Sequence, residues 1–501
     1  MIVKAHRLGI ALLCGTAVAA CAVGPDFHRP AAPATEHYTR APEPQGTVSA
    51  PGASGVGQTF STGRDIPADW WTLFHSGALD QLVREALADS PTMQAARATL
   101  LTAAETYKSQ RGALLIPKID AQGLAERQKE PGAVIGAPQI PSFIFNVFDA
   151  SLNVSYKIDL FGASRRQLES LRAQTEYQRW ELEAAELTLA DNVVTTAVNI
   201  ASLHAQTVAL TDIVASEREQ LKVVQRQFDA GAASRSDVLA QQTQVAENEA
   251  QLPALEKQLA QAQHRLAVLV GRTPDDATLP DFTLDQLTLP SELPLSVPSK
   301  LVRQRPDVQA AEALLHASTA QLGVATANMY PQLNLTGAIG SETVTASDLF
   351  KTGSAAWNIG GSLTQPLFHG GELLHARRAA RADLERATAV YREAVLSALQ
   401  DVADTLRALE ADARTLQADL ITETDAEDTL NMTKLQYKVG GVSYLTLLNA
   451  DRVYLQARQN RVQAEAARYA DTAALFQALG GGWWNRQQTD IQQSTAKENA
   501  Q

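Results

Sequence analysis

Apolar positions along this chain recur with two different periods, one helical and one strand-like, and the two follow each other in the same order twice. From about 91 to 116 the spacing is helical. It stops at Pro117, because a proline disfavours helix in the residue before it. Two strand candidates follow. In the clearer one Ala150, Leu152, Val154, Tyr156 and Ile158 alternate with Ser151, Asn153, Ser155 and Lys157. From about 163 to 228 there is then no proline and no glycine. At ~1.5 Å per residue a helix over this stretch is about 100 Å long. Its later half keeps a 3-4 spacing through Val193, Thr196, Ile200, Leu203, Thr207, Leu210 and Val214. Gly231 breaks the run, and Ser234 is placed to cap the next helix with Asp237 three residues on. The apolar spacing resumes from Val238 to Leu269, with Pro253 inside it, which predicts a kink.

The second half repeats this layout, so the pattern is an internal duplication. Phe228 to Ser234 matches Tyr437 to Ser443, and the match runs without a gap to Leu269-Val270-Gly271 against Ala478-Leu479-Gly480. Ile116-Pro117-Lys118-Ile119 matches Tyr330-Pro331-Gln332-Leu333, and Leu160-Phe161 matches Leu367-Phe368. Long helices at about 372–438 and 444–479 meet at Gly440 and Gly441, with Ser443 as the cap. Each copy therefore reads as helix, strand, strand, long helix, helix. The fold class is mainly α with a β portion.

The strands decide what that β portion does. In the second copy Leu333, Leu335, Gly337 and Ile339 alternate with Asn334, Thr336 and Ala338. Trp357, Ile359, Gly361 and Leu363 share one face of the next strand, with Asn358, Gly360, Ser362 and Thr364 on the other. Such strands suit a half-buried soluble sheet, or a barrel with lipid outside and water inside. Strands of roughly 10 residues span a bilayer at the usual tilt. Four strands do not close a transmembrane barrel, whose smallest members have about eight. Several chains must then share one, and the count alone does not separate two, three or four subunits. After the leader, no stretch reaches 18 consecutive apolar residues, so no transmembrane helix is expected.

The N-terminus adds an anchor. Lys4 and Arg7 precede an apolar run from Leu8 to Ala20, which ends Val18-Ala19-Ala20-Cys21. This reads as a signal peptide over 1–20 with a lipobox, so Cys21 would carry a covalent diacylglycerol and an N-acyl lipid. An ordinary signal peptide cleaved near Ala20 is the plainer alternative. Cys14, the only other cysteine, follows the bulky Leu13 and fits worse. Ala22 rather than Asp after the cysteine suggests the outer membrane. Residues 21–68 are rich in Pro, Ala, Gly, Ser and Thr and read as an extended, loosely ordered segment. The two repeats would occupy 69–284 and 285–483, and a polar tail 484–501.

Charge and chemistry mainly exclude. A net charge of −12 argues against a nucleic-acid partner. There is no HExxH, GxSxG, P-loop or Rossmann glycine pattern, so no enzyme and no cofactor is indicated. His369 and His375 lie close in sequence but lack matching carboxylates, so no metal site is read there.

An ordered set of motifs carries a resemblance that covers almost the whole mature chain. The set comprises Cys21-Ala22-Val23-Gly24-Pro25-Asp26-Phe27, Arg305-Pro306-Asp307-Val308 with Ala311-Glu312, and Ile158 to Gly162. It continues with Leu367 to Gly371, Tyr437 to Gly440 leading into Tyr444 to Ala450, and Leu479 to Trp483. The chain resembles the outer membrane factor (TolC-like) family, in its lipoprotein branch that serves tripartite multidrug pumps. The resemblance implies a homotrimer with a twelve-stranded β-barrel in the outer membrane and a long α-helical barrel in the periplasm. It implies a passive conduit for small toxic compounds or drugs. The partners it implies are outer-membrane lipids, a periplasmic adaptor protein and an inner-membrane efflux pump of the resistance-nodulation-division type. The turns at Gly231, Ser234, Gly440, Gly441 and Ser443, helix caps by geometry, would then be adaptor-docking tips.

The resemblance also places a periplasmic gate near Leu445 and Asn449, with Asp237 as the acid of the first copy. Relatives often carry Asp where this chain has Asn449, and a ring of acids attracts cations. An amide in that place weakens such selectivity, and Asn449 also reads simply as a polar residue within the bundle. Asp451 falls about 200° around the helix from Asn449 and does not substitute for it. Two other functions compete. A lipid-anchored periplasmic coiled-coil tether explains the anchor and hairpins but not the paired amphipathic strands. A channel of the same fold for protein secretion explains both, but the lipobox and the Gly-Gly-Gly-Trp ending favour efflux.

Overall fold

The computed structural model describes residues 22–486 apart from 36, 41, 42, 132, 134, 135, 137, 138, 140 and 277. Cys21, the leader before it and the tail beyond Arg486 lie outside the described residues. In chain order the elements are β1 (Thr59–Thr62), α1 (Gly77–Asp89), α2 (Pro91–Leu115), β2 (Lys118–Glu130), β3 (Phe143–Ile158) and α3 (Ala163–Asp229). They continue with α4 (Arg235–Glu249), α5 (Leu252–Leu269), β4 (Glu292–Leu295), α6 (Pro298–Gln304) and α7 (Pro306–Ala327). The last are β5 (Gln332–Thr343), β6 (Ala355–Thr364), α8 (Glu372–Lys438) and α9 (Tyr444–Ala478). The long helices α3 and α8 each have 67 residues, so the two copies match in length as well as in order.

The chain divides into two compact units, and each takes a segment from both copies of the repeat. The first comprises residues up to Pro30, Thr99–Gln178 and Ala310–Arg392. At its centre is one antiparallel sheet in the order β2-β3-β5-β6. The hairpin of one copy joins the hairpin of the other through β3 and β5, from Ile158 opposite Leu333 to Phe148 opposite Thr343. The strands have 13, 16, 12 and 10 residues.

The same unit holds the first residues after Cys21. Val23 N–H donates to the Phe161 carbonyl at 3.1 Å, Asp26 pairs with Arg166, Phe27 stacks on His316 at 4.3 Å, and Arg29 pairs with Glu312. This segment is therefore pinned, which corrects the reading of 21–68 as loosely ordered. Its order comes from partners 138 to 289 residues away in sequence, which composition does not reveal.

The second unit comprises Ala31–Ala98, Arg179–Gln309 and Glu393–Gln501. Here too the N-terminal segment is held. Gln58 is fully buried, and β1 pairs in parallel with β4. The buried Arg468 of α9 donates to the carbonyls of Ser54 and Val56 and to Gln58 Oε1. Trp70 stacks on Phe476 at 5.3 Å. Arg305, from the Arg-Pro-Asp motif, bonds Asp307, Asp401 and the Ala478 carbonyl, which ties α7, α8 and α9 together.

The helical hairpins of this unit are irregular at one point. Regular helix lapses at Ala250 and Gln251, which both keep right-handed helical angles, and Pro253 follows in the first turn of α5, so the irregularity expected at this proline is present. A proline has no N–H to donate, so it fits a first turn, where that donor is unused, better than a helix interior. The second copy has no proline there, and α9 runs unbroken for 35 residues. One window of α3 is apolar enough by composition to cross a membrane, but 61% of it is buried within the protein. It reads as packed core.

Candidate functional site

The sheet has two chemically opposite faces. Directly opposed residues of neighbouring strands share a face, so the register assigns every position. One face carries Ile119, Leu152, Val154, Leu335, Ile339, Trp357, Ile359 and Leu363. The other carries Gln122, Ser151, Asn153, Ser155, Asn334, Thr336, Asn358 and Ser362. The apolar face is bare: Trp357 is 75% exposed and Ile359 82%. Neither β2 nor β6 has a second strand partner among the described residues, so both edges offer unpaired backbone donors and acceptors. A monomer in water would be penalised on both counts. A closed barrel in lipid satisfies both.

The second feature is the pair of hairpin turns. α3 ends where Gly231 adopts φ +75° and α8 where Gly440 adopts φ +74°, the left-handed conformation that glycine tolerates best. The turns bond alike, with Ala232 N–H to the Gln227 carbonyl and Gly441 N–H to the Gln436 carbonyl. Ser234 Oγ accepts from Asp237 N–H at 3.2 Å, and Ser443 Oγ accepts from Thr446 N–H at 3.2 Å. Only the first turn closes a reciprocal box, in which Ser234 N–H donates to Asp237 Oδ2 at 2.9 Å. Asp237 thus matches Thr446, not Asn449. Its carboxylate bonds only Ser234 among the described residues. The structure makes it a capping residue.

Leu445 and Asn449 are brought together. They lie one turn apart on the exposed face of α9, and Leu445 is 70% exposed. Behind them Tyr444, Leu447 and Leu448 pack with Val224, Val238 and Leu430, so the turns of both copies share one core. Asp451 points the other way and is buried, as its angular offset from Asn449 predicts.

Sequence reading missed the buried polar cluster beneath these turns. Glu217, Gln241, Gln244 and Asn248 are all buried. Gln241 Nε2 donates to the Glu217 carbonyl at 2.9 Å, Asn248 Nδ2 donates to Glu217 Oε1 at 2.7 Å, and the Tyr444 hydroxyl bonds Gln241. The available signal was a run of amides at 241, 244 and 248, on one face of α4. Among the described residues no group of three or more His, Cys, Asp or Glu is arranged to hold a metal. Among the described residues the one carboxylate that pairs with His369 is Glu372, at 3.8 Å.

Residues 82–272 and 297–481 match the family model described as "Outer membrane efflux protein". The pyoverdine export outer membrane protein OpmQ of Pseudomonas aeruginosa is 31% identical over 458 residues, covering 88% of this chain and 95% of OpmQ. The toluene efflux pump outer membrane protein TtgC of Pseudomonas putida is 27% identical, covering 95% of this chain and 96% of TtgC. Among solved structures, the outer-membrane channel OprN superposes with a TM-score of 0.83 at 27% identity, covering 92% of this chain and all of that one. The Campylobacter jejuni CmeC outer membrane channel gives 0.83 at 22% identity over 95% of this chain and 98% of that one, a likeness of fold. With its amphipathic open-edged sheet and duplicated hairpins, the chain belongs to the outer membrane efflux protein family and is an outer-membrane channel component of an efflux system.

Proposed function

We propose that three copies of this chain close their sheets edge to edge into a twelve-stranded barrel, lipid-anchored through Cys21. The helical hairpins of the trimer form a periplasmic conduit. The observation that carries this reading is the four-stranded sheet with one apolar face, one polar face and two open edges. The turns at Gly231–Ser234 and Gly440–Ser443 dock a periplasmic adaptor, which links the channel to an inner-membrane pump of the resistance-nodulation-division type. The pump supplies the energy, and the channel passes small organic compounds passively to the exterior. Leu445 and Asn449 ring the axis near the tip and narrow it at rest.

Washing membranes with carbonate or urea, with and without Cys21→Ala, tests the architecture. A channel stays embedded without its lipid and runs as a heat-sensitive trimer on gels. A protein that washes off once Cys21 is replaced is a lipid-held tether, and the proposal falls. Accumulation of toxic compounds in a deletion strain tests the cargo, and unchanged accumulation would point to protein secretion instead.

A further inference from the structure

The apolar face of the sheet carries two charges, and both are positive. Register puts Ile119, Ala121, Gly123, Ala125, Arg127 and Lys129 of β2 on this face, opposite Val154, Leu152, Ala150, Phe148, Asn146 and Ile144 of β3. The same face of β5 and β6 runs through Leu333, Leu335, Gly337, Ile339, Trp357, Ile359, Gly361 and Leu363, and is uncharged. The charged residues Lys118, Asp120, Glu126, Glu130, Asp149, Lys157 and Glu342 all fall on the polar face. Arg127 and Lys129 are both exposed. Neither forms an ion pair among the described residues, although Glu126 and Glu130 adjoin them in sequence and point to the opposite face.

Their height decides their role. At about 3.4 Å per residue and a tilt of roughly 40°, the run from Pro117 to Arg127 rises about 26 Å, the thickness of the apolar band of such barrels. Arg127 and Lys129 therefore emerge where the hydrocarbon ends, at the hairpin rim of the sheet. A charge in the middle of that face would cost about 2–4 kcal/mol, whereas at the rim the cost is nearly nil. Two cations two residues apart, beside exposed Ile144 and with no acid on their face, complement phosphate attached to a lipid chain.

We propose that Arg127 and Lys129 bind the phosphate groups of a phosphorylated glycolipid of the outer leaflet. This rests on the barrel reading above, in which the hairpin rim faces the exterior. The pair fixes the barrel's depth and recruits an annulus of anionic lipid around the outer mouth.

The test uses full-length trimer in nanodiscs, with binding of bisphosphorylated and dephosphorylated lipid A measured by native mass spectrometry. Wild type should prefer the phosphorylated lipid on the order of tenfold. Arg127→Gln with Lys129→Gln should lose that preference while keeping the heat-sensitive trimer and its single-channel conductance. A wild type without preference, or a double variant that retains it, overturns the proposal. Equal displacement by inorganic phosphate would make the pair a free-anion site and also overturns it. Conductance reads the barrel independently: a wild type that forms no channel refutes the architecture, whereas a conducting channel without lipid preference refutes only the lipid site.

Discussion

Glu217 on α3 and Asp451 on α9 meet carboxyl to carboxyl in the polar cluster beneath the hairpin turns. They are 1% and 8% exposed. Glu217 Oε2 is buried and finds no donor, so a bond between the two acids requires that one of them keep its proton. Burial pushes Glu217 up to about 7; the Asn248 amide opposes this, and the Asp451 charge adds to it. Burial also raises Asp451, against its bond to Glu217 and the charge of Lys434 on α8. Burial raises the adjoining Tyr444 hydroxyl as well, so it stays a neutral donor.

A stability slope follows from this pair. An unfolded glutamate ionises near 4.5. Below that pH both states hold the proton, and the raised value has no effect. Between that value and about 7 the folded chain loses stability as pH rises, by about 3 kcal/mol in full once the buried acid is ionised. Hydrogen exchange of the α9 amides from Leu447 to Leu455, corrected for intrinsic rate, should show weaker protection at pH 8 than at pH 5.5. Glu217→Gln keeps a donor toward Asp451 and an acceptor for Asn248, so it should flatten that slope. Parallel slopes in the two proteins would show that the pair holds no proton.

The duplication makes a second prediction about how one protomer meets its neighbour. Inside the chain Phe161 stacks on Tyr330 at 4.9 Å, where β3 of one copy meets β5 of the other. Their repeat counterparts are Phe368 and Ile116, which are 87% and 63% exposed. In the proposed trimer these two would meet across the subunit boundary, where β6 of one protomer joins β2 of the next. The pairing of Ser155 with Thr336 transfers to Ser362 and Gln122. Ser362→Cys with Gln122→Cys should therefore give an oxidised covalent trimer on denaturing gels. Gln122→Cys with Asn358→Cys, displaced by four residues, should not. The same register would set Trp357 beside the neighbour's Arg127, an aromatic and a cation at one membrane interface.

Much of this architecture is legible in the sequence because it is periodic. The 67-residue helices, the strand faces and the glycine turns each repeat a local rule in both copies. What sequence hides is contact between distant segments. The bonds of Arg468 to the segment around Ser54 and Gln58 span more than 400 residues, and nothing local marks a Pro- and Gly-rich stretch as ordered. Asp237 shows the same limit at short range. Its position relative to Ser234 fits a capping box, and the 2.9 Å bond from Ser234 N–H closes that box, while the resemblance gives it the further role of a gate acid.

That difference between the turns is itself measurable. Ser234→Ala removes one arm of a capping box and leaves the backbone N–H of residue 234 donating to Asp237, whereas Ser443→Ala removes the single side-chain arm of its cap, because Thr446 supplies no carboxylate. Loss of an N-cap costs about 1 kcal/mol. We expect Ser443→Ala to raise the exchange of the first-turn amides of α9 more than Ser234→Ala raises those of α4, because the Asp237 arm remains in the first turn. Asp237→Asn should reproduce part of the Ser234→Ala effect. Channel conductance unchanged in Asp237→Asn would fit a cap, whereas a shift in cation selectivity would assign Asp237 to the conducting path.

Leu445 and Asn449 offer the sharpest test of where the resting channel narrows. They share the exposed face of α9 one turn apart, and Val453 continues it at 49% exposure. Threefold repetition about an axis would turn this stripe into a ring of leucines above a ring of amides. Leucine rings narrow a pore and exclude water, while amides bring hydrogen bonds without net charge. Leu445→Ala should therefore raise single-channel conductance or vancomycin sensitivity of cells that carry it, and unchanged values for both would remove the gate from this level. Asn449→Asp introduces three acids per trimer and should move the reversal potential in a salt gradient toward cations. That shift should shrink as pH falls through the carboxylate range, since protonation returns the ring to neutrality. If Asn449→Asp leaves selectivity untouched while Leu445→Ala opens the channel, Asn449 faces the bundle and the apolar ring alone sets the constriction.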